Sequence, residues 1–469
     1  MKSIQQYMGN LKLPSFLKIW SRSSSDRLMP YGQTLLWALI IGLMGGVIAT
    51  MYYGVLTGGL YVVWDVFHPW LTSLFETDGA GTGALIFVTT TGGILVGMAI
   101  KWMQSPGEIS AVVNNIHIKH GKMDYSQNRS MTVNSLISII FGGSAGPEAP
   151  LVQLIGSNGS KLAEKLKLHG DLIRTFTFCG MAAALGAFFG APIGGALFAL
   201  EIPHNRGLEY YEALIPAIVS SLGAFFIFRV SIGYEGALYN LPHVSGISIA
   251  HVFEGILMGL IGAGIAVLFI IIFKRIQDLL HPLENRPVVR GAVGGLAIGL
   301  LAAVIPAGFV TTPLFWSEFE IIDLINGLSA LQNNYTVWGA VGLLVLLVLV
   351  KICSIGFTLH SGYRGGFIFP LFFIGAASGI AFSLATGQFI SMTVAIVGLM
   401  AAVNVGVTKT PVSTSVILVS ITSSAMLPVI ATASIVSYVC TEKIRLISTQ
   451  QHRRDSLSPM HRVWRWKER

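Results

Sequence analysis

Charge is scarce in this chain of 469 residues: Asp, Glu, Lys and Arg make up 11% of it, whereas hydrophobic residues make up 53%. Soluble globular domains carry about 25% charged residues, so this chain has too few polar side chains to cover a water-facing surface. Cysteine is also scarce, and Cys179, Cys353 and Cys440 are too few to close a disulfide framework. These shortages exclude a soluble globular protein and a disulfide-stapled secreted domain.

Long apolar runs dominate instead, and the mean hydropathy is +0.69. A spanning helix needs about 20 mostly apolar residues. The runs near or above this length are 31–58, 82–103, 132–150, 170–202, 210–232, 251–278, 288–306, 336–360, 367–385, 390–405 and 412–447. Some are too long and others too short for one simple crossing, and the 53 glycines and 18 prolines indicate close helix contacts and broken helices. The sequence predicts an all-α integral membrane protein with tilted, discontinuous transmembrane helices.

Both ends of the chain are basic. Residues 1–30 hold no apolar core of a cleavable signal peptide, and basic flanks favour the cytoplasmic side of a membrane. We therefore predict a cytoplasmic segment at 1–30, a transmembrane domain at 31–447 and a basic cytoplasmic tail at 448–469. The net charge of +8 is explained by this topology, and no nucleic-acid partner is expected.

An internal repeat divides the transmembrane domain into halves of about 31–235 and 250–447. Residues 180–201 read GMAAALGAFFGAPIGGALFALE and residues 399–420 read LMAAVNVGVTKTPVSTSVILVS, so that Pro192 aligns with Pro411. The upstream pair is SAGPEAPLVQLIG (144–156) and SGYRGGFIFPLFFIG (361–375). Repeated halves are typical of transporters, whose site lies at mid-membrane where short helices begin. Two merely similar apolar segments are the alternative on the repeat alone.

The segment GGSAGPEAP at 142–150 is the most informative one. Its glycines and prolines end one helix, and LVQLIGSNGS then continues another. A helix that starts inside a membrane points free N–H groups and a positive dipole end at an anion. Gly146 and Ala149 are therefore candidate anion-binding residues. Glu148, in the first turn, is interpreted as a tethered competitor that leaves when protonated; a plain helix-terminal charge at a membrane edge is the alternative.

The second half offers a matching helix start, GGFIFP at 365–370. The amides of Gly366, Phe367, Ile368 and Phe369 are candidates to bind a desolvated anion without a fixed full charge, which would hold the ion too tightly for fast passage. Arg364 lies just before them and either attracts anions or is an interfacial arginine with its head in water.

A third break occurs in QSPGEI at 104–109. Ser105 is a candidate anion ligand through its hydroxyl. A cytoplasmic turn with a capping serine is the alternative interpretation of this segment.

With these segments in place, the chain resembles the CLC family of chloride channels and chloride/proton antiporters. The family signatures are a Gly-Ser-Gly-Ile-Pro loop, a Gly-Arg-Glu-Gly-Pro helix start and a Gly-x-Phe-x-Pro helix start. This chain has GPEAP at 146–150 and GFIFP at 366–370, with GAP at 190–192 and KTP at 409–411 matching two further family segments. The likeness runs from about residue 30 to 447. The Gly-Pro-Glu variant resembles a divergent prokaryotic branch of the family.

The resemblance implies a CLC-type inverted repeat and a homodimer with one pore per subunit. It implies that Glu148 is the outer gate and, in an antiporter, a proton carrier, with Glu201 as a second proton-pathway candidate. It also implies a multi-pass protein of a prokaryotic inner membrane, with both termini cytoplasmic and no cofactor apart from chloride as substrate. The paired regulatory (CBS) domains of many members are not expected here.

Three departures from the family pattern bear on the mechanism. Ile202 stands where antiporters usually have a proton-accepting glutamate, so Glu201 is expected to cap or pair structurally. Ile444 and Arg445 stand near the position of the family's inner tyrosine. Ser105 matches the first signature only if one residue is deleted nearby.

The departures favour passive chloride conduction, gated by voltage or pH, over chloride/proton exchange. A transporter of another small anion such as fluoride stays open, because no motif encodes the size of the site. An intramembrane enzyme is the remote alternative. Glu201 and His204 have the spacing of helical metal ligands, but Pro203 lies between them and no second copy exists. His117 and His120 lie in a polar loop, and no phosphate loop or nucleophile elbow is present, so neither an enzyme nor a metal site is predicted.

Overall fold

The computed structural model of the protein describes residues 29–74, 81–103, 121–168, 170–204, 208, 210–233, 239, 241, 249–306, 309, 311–447 and 450. These residues form helices and loops and contain no β-strand. The α-helices, in chain order, are α1 (Tyr31–Leu60), α2 (His68–Leu74), α3 (Gly81–Met103), α4 (Asn128–Ile140), α5 (Glu148–Lys165), α6 (Asp171–Phe189), α7 (Pro192–Glu201), α8 (Leu214–Ile232), α9 (Ala250–Leu280), α10 (Pro287–Ala303), α11 (Glu318–Asn326), α12 (Leu328–Asn334), α13 (Val337–His360), α14 (Ile368–Ala385), α15 (Met392–Thr408), α16 (Pro411–Ile421) and α17 (Leu427–Thr441). A π-helical stretch, Tyr61–Phe67, joins α1 to α2.

Within the described residues, eight helical stretches are long and apolar enough to cross a membrane: Tyr31–Leu74, Gly81–Met103, Asp171–Phe189, Tyr211–Ile232, Ala250–Leu283, Val337–His360, Ile368–Ala385 and Ser424–Thr441. Four apolar helices are shorter, namely α7, α10, α15 and α16. Apolar side chains such as Met51, Val55 and Phe253 are exposed, as expected for surfaces that face lipid tails. The all-α membrane architecture predicted from composition is confirmed.

Several predicted runs are broken where glycine and proline interrupt them. The run 132–150 is not one helix, because α4 ends at Ile140 and α5 begins only at Glu148. The runs 170–202 and 412–447 each form two helices. Conversely, the first helical stretch continues to Leu74, well past the predicted end at residue 58.

The internal repeat is visible in matched elements of the two halves. Helices α5 and α14 each contain 18 residues and begin at the paired helix starts. The next helix ends at Gly190 in the first half and at Lys409 in the second, and both residues have left-handed backbone angles, with φ values of 66° and 64°. Pro192 and Pro411 then begin the short helices α7 and α16. The repeat predicted from sequence is therefore structural.

Close helix packing depends on glycine at the contact between α3 and α10. A Cβ atom at Gly93 would overlap the carbonyl of Gly291, and one at Gly291 would overlap the carbonyl of Gly93. The centre of the bundle is formed by α6, α14 and α15, which are apolar all round and almost wholly buried. These central helices hold the two repeat-related helix starts in fixed positions.

Candidate functional site

The carboxylate of Glu148 lies between the two repeat-related helix starts. Glu148 is 2% exposed, and its Oε1 accepts a hydrogen bond from the Ile368 amide at 3.0 Å. The Phe369 amide and its own amide also contact the carboxylate. The other oxygen, Oε2, is buried and has no hydrogen-bond partner among the described residues. A carboxylate on the amides of α14 occupies the kind of position that a helix N-terminus offers to an anion.

The two loops that lead into α5 and α14 are joined by an isolated antiparallel bridge between Gly146 and Gly366. Because the amides of both glycines donate to each other's carbonyl, they are not directed at an anion. The prediction that these two amides bind the ion is therefore not supported. Glycine matters here for space, since a Cβ atom at Gly146 or Gly366 would overlap the Glu148 carboxylate.

Ala149 and Phe367 keep their amides available. Neither residue donates its N–H to any part of the chain that the structure describes, which is expected for the first turn of a helix. Both residues line two adjoining cavities. Of the predicted amide donors, Ala149 and Phe367 therefore lie at the wall that these two cavities share.

The first cavity runs from Glu148 towards the ends of α7 and α15. It is lined by Met131, Glu148, Ala149, Val152, Met181, Leu185, Phe198, Ile202, Gly366, Phe367, Ile368, Thr408 and Ile447. Thr408 is the one uncharged polar side chain in this set. With about 60 Å³ of room for water-sized molecules, the cavity exceeds the ~10–15 Å³ that holds one water molecule.

The second cavity shares Met131, Ala149, Phe367 and Ile447 with the first. Its other walls include Phe273, Leu359, Tyr363, Arg364, Gly365 and Leu446. Arg364 is half-buried, and its amide donates to the Ser138 hydroxyl at 2.9 Å. The structure thus places the arginine against the second cavity.

The segment after α17 folds back over the first cavity. Ile447 lines both cavities, whereas Ile444 and Arg445, near which the sequence placed the family's tyrosine, line neither. Nε2 of Gln450 donates to the carbonyls of Ile202 at 2.9 Å and Thr408 at 2.8 Å. Gln450 therefore ties this segment to one helix end from each half.

Glu201 caps a helix of the opposite half. Its Oε1 accepts from the Val412 amide at 3.1 Å, and its Oε2 accepts from the amide of Ser413 at 2.7 Å and from the Ser413 hydroxyl. Glu201 is fully buried, and these donors at the start of α16 stabilise its charge. This geometry agrees with the capping role expected from the sequence. Both carboxylate oxygens of Glu201 bind donors of α16, which does not favour a metal site formed with His204. No group of three or more potential metal ligands occurs in the described part of the chain.

Three residues considered from the sequence cannot be placed, and one residue of the cavity wall was not predicted. Ser105, His117 and His120 fall outside the described residues. The sequence reasoning did not identify Thr408, although it aligns with the end of α6 in the repeat. The Thr408 hydroxyl contacts Asn404 Oδ1 at 3.0 Å and the Thr410 hydroxyl at 2.7 Å.

Comparison with known proteins adds a family and a fold. The sequence profile of the family described as voltage gated chloride channel matches residues 92–442. A chloride/fluoride channel protein of Pseudomonas syringae pv. tomato is 25% identical over 422 residues, which cover 88% of this chain and 85% of the relative.

Two solved structures share the fold. One is the crystal structure of a CLC-type fluoride/proton antiporter, with a TM-score of 0.73 and 21% identity, covering 91% of this chain and 100% of that one. The other is the X-ray crystal structure of a slow cyanobacterial Cl-/H+ antiporter, with a TM-score of 0.74 and 18% identity, covering 89% and 96%.

Proposed function

Because the chain belongs to the voltage gated chloride channel family, we propose that it conducts chloride passively and that Glu148 gates the path. Members of this family are membrane anion transporters and channels, not enzymes. The relatives include a channel as well as two antiporters, so the choice of passive conduction depends on the residues of this chain.

One observation carries the proposal: the Glu148 carboxylate accepts the Ile368 amide at 3.0 Å, in a position that suits a small anion. The carboxylate and an anion compete for the same donors, because both are negative and both are stabilised by free N–H groups. Protonation removes the charge of Glu148 and weakens its hold on these amides. Anion flux is then expected to rise as the pH falls.

Passive conduction is favoured by the inner walls of the first cavity. Among its lining residues Glu148 is the only ionisable one, and the inner end is formed by Ile202, Thr408 and Ile447. A coupled exchanger needs a group that receives the proton on the far side of the gate. Ile202 offers none, and the oxygens of the neighbouring Glu201 accept from the start of α16.

Chloride/proton exchange is the second candidate, and a chain of hydroxyl groups favours it. The Thr408 hydroxyl lies on the cavity wall, 2.7 Å from that of Thr410, which lies 3.0 Å from that of Thr414. Linked hydroxyls could pass a proton towards the first turn of α16, where Glu201 is bound. This route would replace the glutamate absent at Ile202.

The anion itself is proposed as chloride. Fluoride is the main competitor, since the Pseudomonas relative is described as a chloride/fluoride channel and one structural neighbour as a fluoride/proton antiporter. Backbone amides suit both ions, and the apolar lining of the first cavity favours the one that loses its water more readily. Chloride is larger and more weakly hydrated than fluoride.

A homodimer in a prokaryotic inner membrane, with both termini in the cytoplasm, completes the proposal. The support for a dimer is a set of exposed apolar side chains on helices of both halves: Ile193 on α7, Phe226 on α8, Val412 on α16 and Ile435 on α17. Each subunit has its own Glu148 and its own pair of cavities, so each would carry its own path.

The deciding experiment is anion efflux from liposomes that contain the purified protein, with external chloride and pH recorded together. Chloride release without proton movement is the expected result. If a chloride gradient drives protons uphill, exchange replaces passive conduction and the hydroxyl chain becomes the route to test. If fluoride leaves and chloride does not, the proposed substrate is wrong although the architecture holds.

A further inference from the structure

A third cavity lies away from the anion path, where the π-helical stretch meets the start of α11. It is lined by Thr57, Leu60, Tyr61, Trp64, Asp65, Phe315, Trp316, Phe319 and Glu320. At about 290 Å³, it is several times larger than the first cavity measured in the same way. Five of its nine lining residues are aromatic and two are acidic. The proposed anion transport uses none of these residues.

The aromatic walls are held in place by specific contacts. Trp64 donates from Nε1 to the Ile140 carbonyl at 2.7 Å, and Trp316 donates from Nε1 to Glu318 Oε2 at 2.9 Å. The rings of Trp64 and Phe315 meet edge to face, with centroids 5.2 Å apart. Trp316 and Phe319 meet in the same way at 6.0 Å. Indole groups fixed by hydrogen bonds present rigid ring faces and edges to the cavity.

A buried lysine supports the wall that carries these rings. Lys351 is fully buried, and its Nζ donates to the carbonyls of Thr312, Leu314 and Phe315. Just beyond, Phe315 and Ser317 have φ values of 51° and 71°. Non-glycine residues adopt this region at a cost and keep it when the surrounding contacts enforce it. The lysine thus holds an unfavourable backbone that places Phe315 and Trp316 at the cavity.

The cavity carries two carboxylates, of which one faces a buried lysine and the other has no partner in the described part of the chain. Asp65 is exposed and forms no ion pair or hydrogen bond within the described part of the chain. Glu320 is half-buried, and no side chain in the described part of the chain donates a hydrogen bond to it. Lys351 attracts Glu320 but forms no ion pair with it, while Asp323 and Glu318 add negative charge nearby. The carboxylate of Asp65 is therefore the group in this cavity that is free to pair with a cation.

We propose that this third cavity binds the ammonium or guanidinium group of an organic cation. Aromatic faces attract such groups by about 0.5–2 kcal/mol each, and the carboxylates of Asp65 and Glu320 add charge complementarity. A divalent metal fits less well, because the cavity supplies two carboxylates and no third His, Cys, Asp or Glu completes a metal-binding group among the described residues.

One wall residue of the third cavity, Trp64, also contacts the segment that leads to Glu148. Trp64 bonds to the Ile140 carbonyl, at the end of α4, and its ring also lies beside Gly142. From there the chain runs through the loop to Glu148. A cation that fixes Trp64 therefore stabilises the anchor of the loop that presents the gate.

The test is isothermal titration of the purified full-length protein with tetramethylammonium chloride, at a fixed total chloride concentration. Saturable binding is expected for the native protein. Asp65→Asn and Tyr61→Leu are each expected to weaken it about tenfold, and both positions are exposed, so folding is expected to survive. Glu284→Gln is the matched control. Glu284 is an exposed carboxylate that does not line the third cavity, so this variant is expected to bind tetramethylammonium like the native protein.

Three results would overturn the proposal: no saturable binding by protein with a native melting curve, equal binding by the cavity variants and the control, or tighter binding of calcium at the same residues.

Two further arms identify the source of the cation. Displacement of tetramethylammonium by phosphatidylethanolamine but not by phosphatidylglycerol assigns the cavity to a lipid headgroup. Binding that neither lipid changes assigns it to a soluble cation. The titration needs no ion flux, so its outcome is independent of the proposed anion transport.

Discussion

Gly146 and Gly366 hydrogen-bond to each other through both of their backbone groups, the Gly146 amide to the Gly366 carbonyl at 2.8 Å and the Gly366 amide to the Gly146 carbonyl at 2.7 Å. The pair joins the loops before α5 and α14, one from each repeat. The Glu148 carboxylate lies against both glycines, where any Cβ atom would overlap it. The position of the Glu148 carboxylate therefore depends on two residues that have no side chain.

Gly366→Ala is expected to open the gate without removing Glu148. The added methyl group would overlap Cδ and Cγ of Glu148, so the carboxylate must leave the Ile368 amide. Chloride efflux from liposomes at neutral pH should rise and lose most of its dependence on pH. Gly342→Ala on α13 is the matched control, because nothing lies within 4 Å of its Cβ position. Unchanged flux in a folded Gly366→Ala protein would contradict the proposed closed state.

Glu148→Gln tests the charge of the gate. Glutamine is nearly the same size as glutamate but cannot ionise, so it competes with chloride for the helix amides no better than a neutral group. Flux should be high at every pH, whereas the native protein should conduct more as the pH falls. Anion efflux measured across a pH series checks this. A variant that still follows the native pH response would show that another group senses the proton.

Local patterns in the sequence were enough to predict the helix starts and the repeat. The segments GGSAGPEAP, GAP and KTP each lie at the junction of two helices, so the break before Glu148 and the left-handed turns at Gly190 and Lys409 are encoded by neighbouring residues. The acidic residue in the first turn of α5 could be recognised for the same reason. Each of the eight long apolar helical stretches in the described part of the chain lies within or overlaps a predicted apolar run, although several runs are broken into shorter helices.

Contacts between distant segments were not predictable in this way. The pairing of Gly146 with Gly366 and the location of Ile447 on the cavity wall join residues far apart in sequence. The family pattern placed the tyrosine position near 444 and 445. A motif gives the order of residues along the chain, but it does not give the path of the segment that follows α17. Lys351 sits inside an apolar run, and its partners are carbonyls, which carry no sequence signal.

Arg364→Gln is expected to weaken the capture of chloride. Arg364 lines the second cavity, which shares a wall with the proposed amide site, and a cation there raises the local anion concentration. The chloride concentration for half-maximal flux should rise about tenfold, which corresponds to ~1.4 kcal/mol, and Arg364→Lys should recover much of the loss. Arg286→Gln, at an exposed position, serves as the control. If the native protein, Arg364→Gln, Arg364→Lys and Arg286→Gln all need the same chloride concentration for half-maximal flux, Arg364 does not attract the anion and is an interfacial residue only.

Glu201→Ala separates a structural role from a proton-carrying one. The substitution leaves the amides of Val412 and Ser413 and the Ser413 hydroxyl without their acceptor. The two Ser413 donors are buried, and each unsatisfied buried group costs about 1–3 kcal/mol. The melting temperature of Glu201→Ala in detergent should fall by several degrees. That of Glu201→Gln should fall less, because glutamine keeps one acceptor oxygen. Under passive conduction, the surviving folded protein should release chloride without proton movement, as the native protein does. If the native protein pumps protons and Glu201→Ala alone abolishes that coupling while chloride flux continues, Glu201 carries protons and its cap on α16 is part of the route.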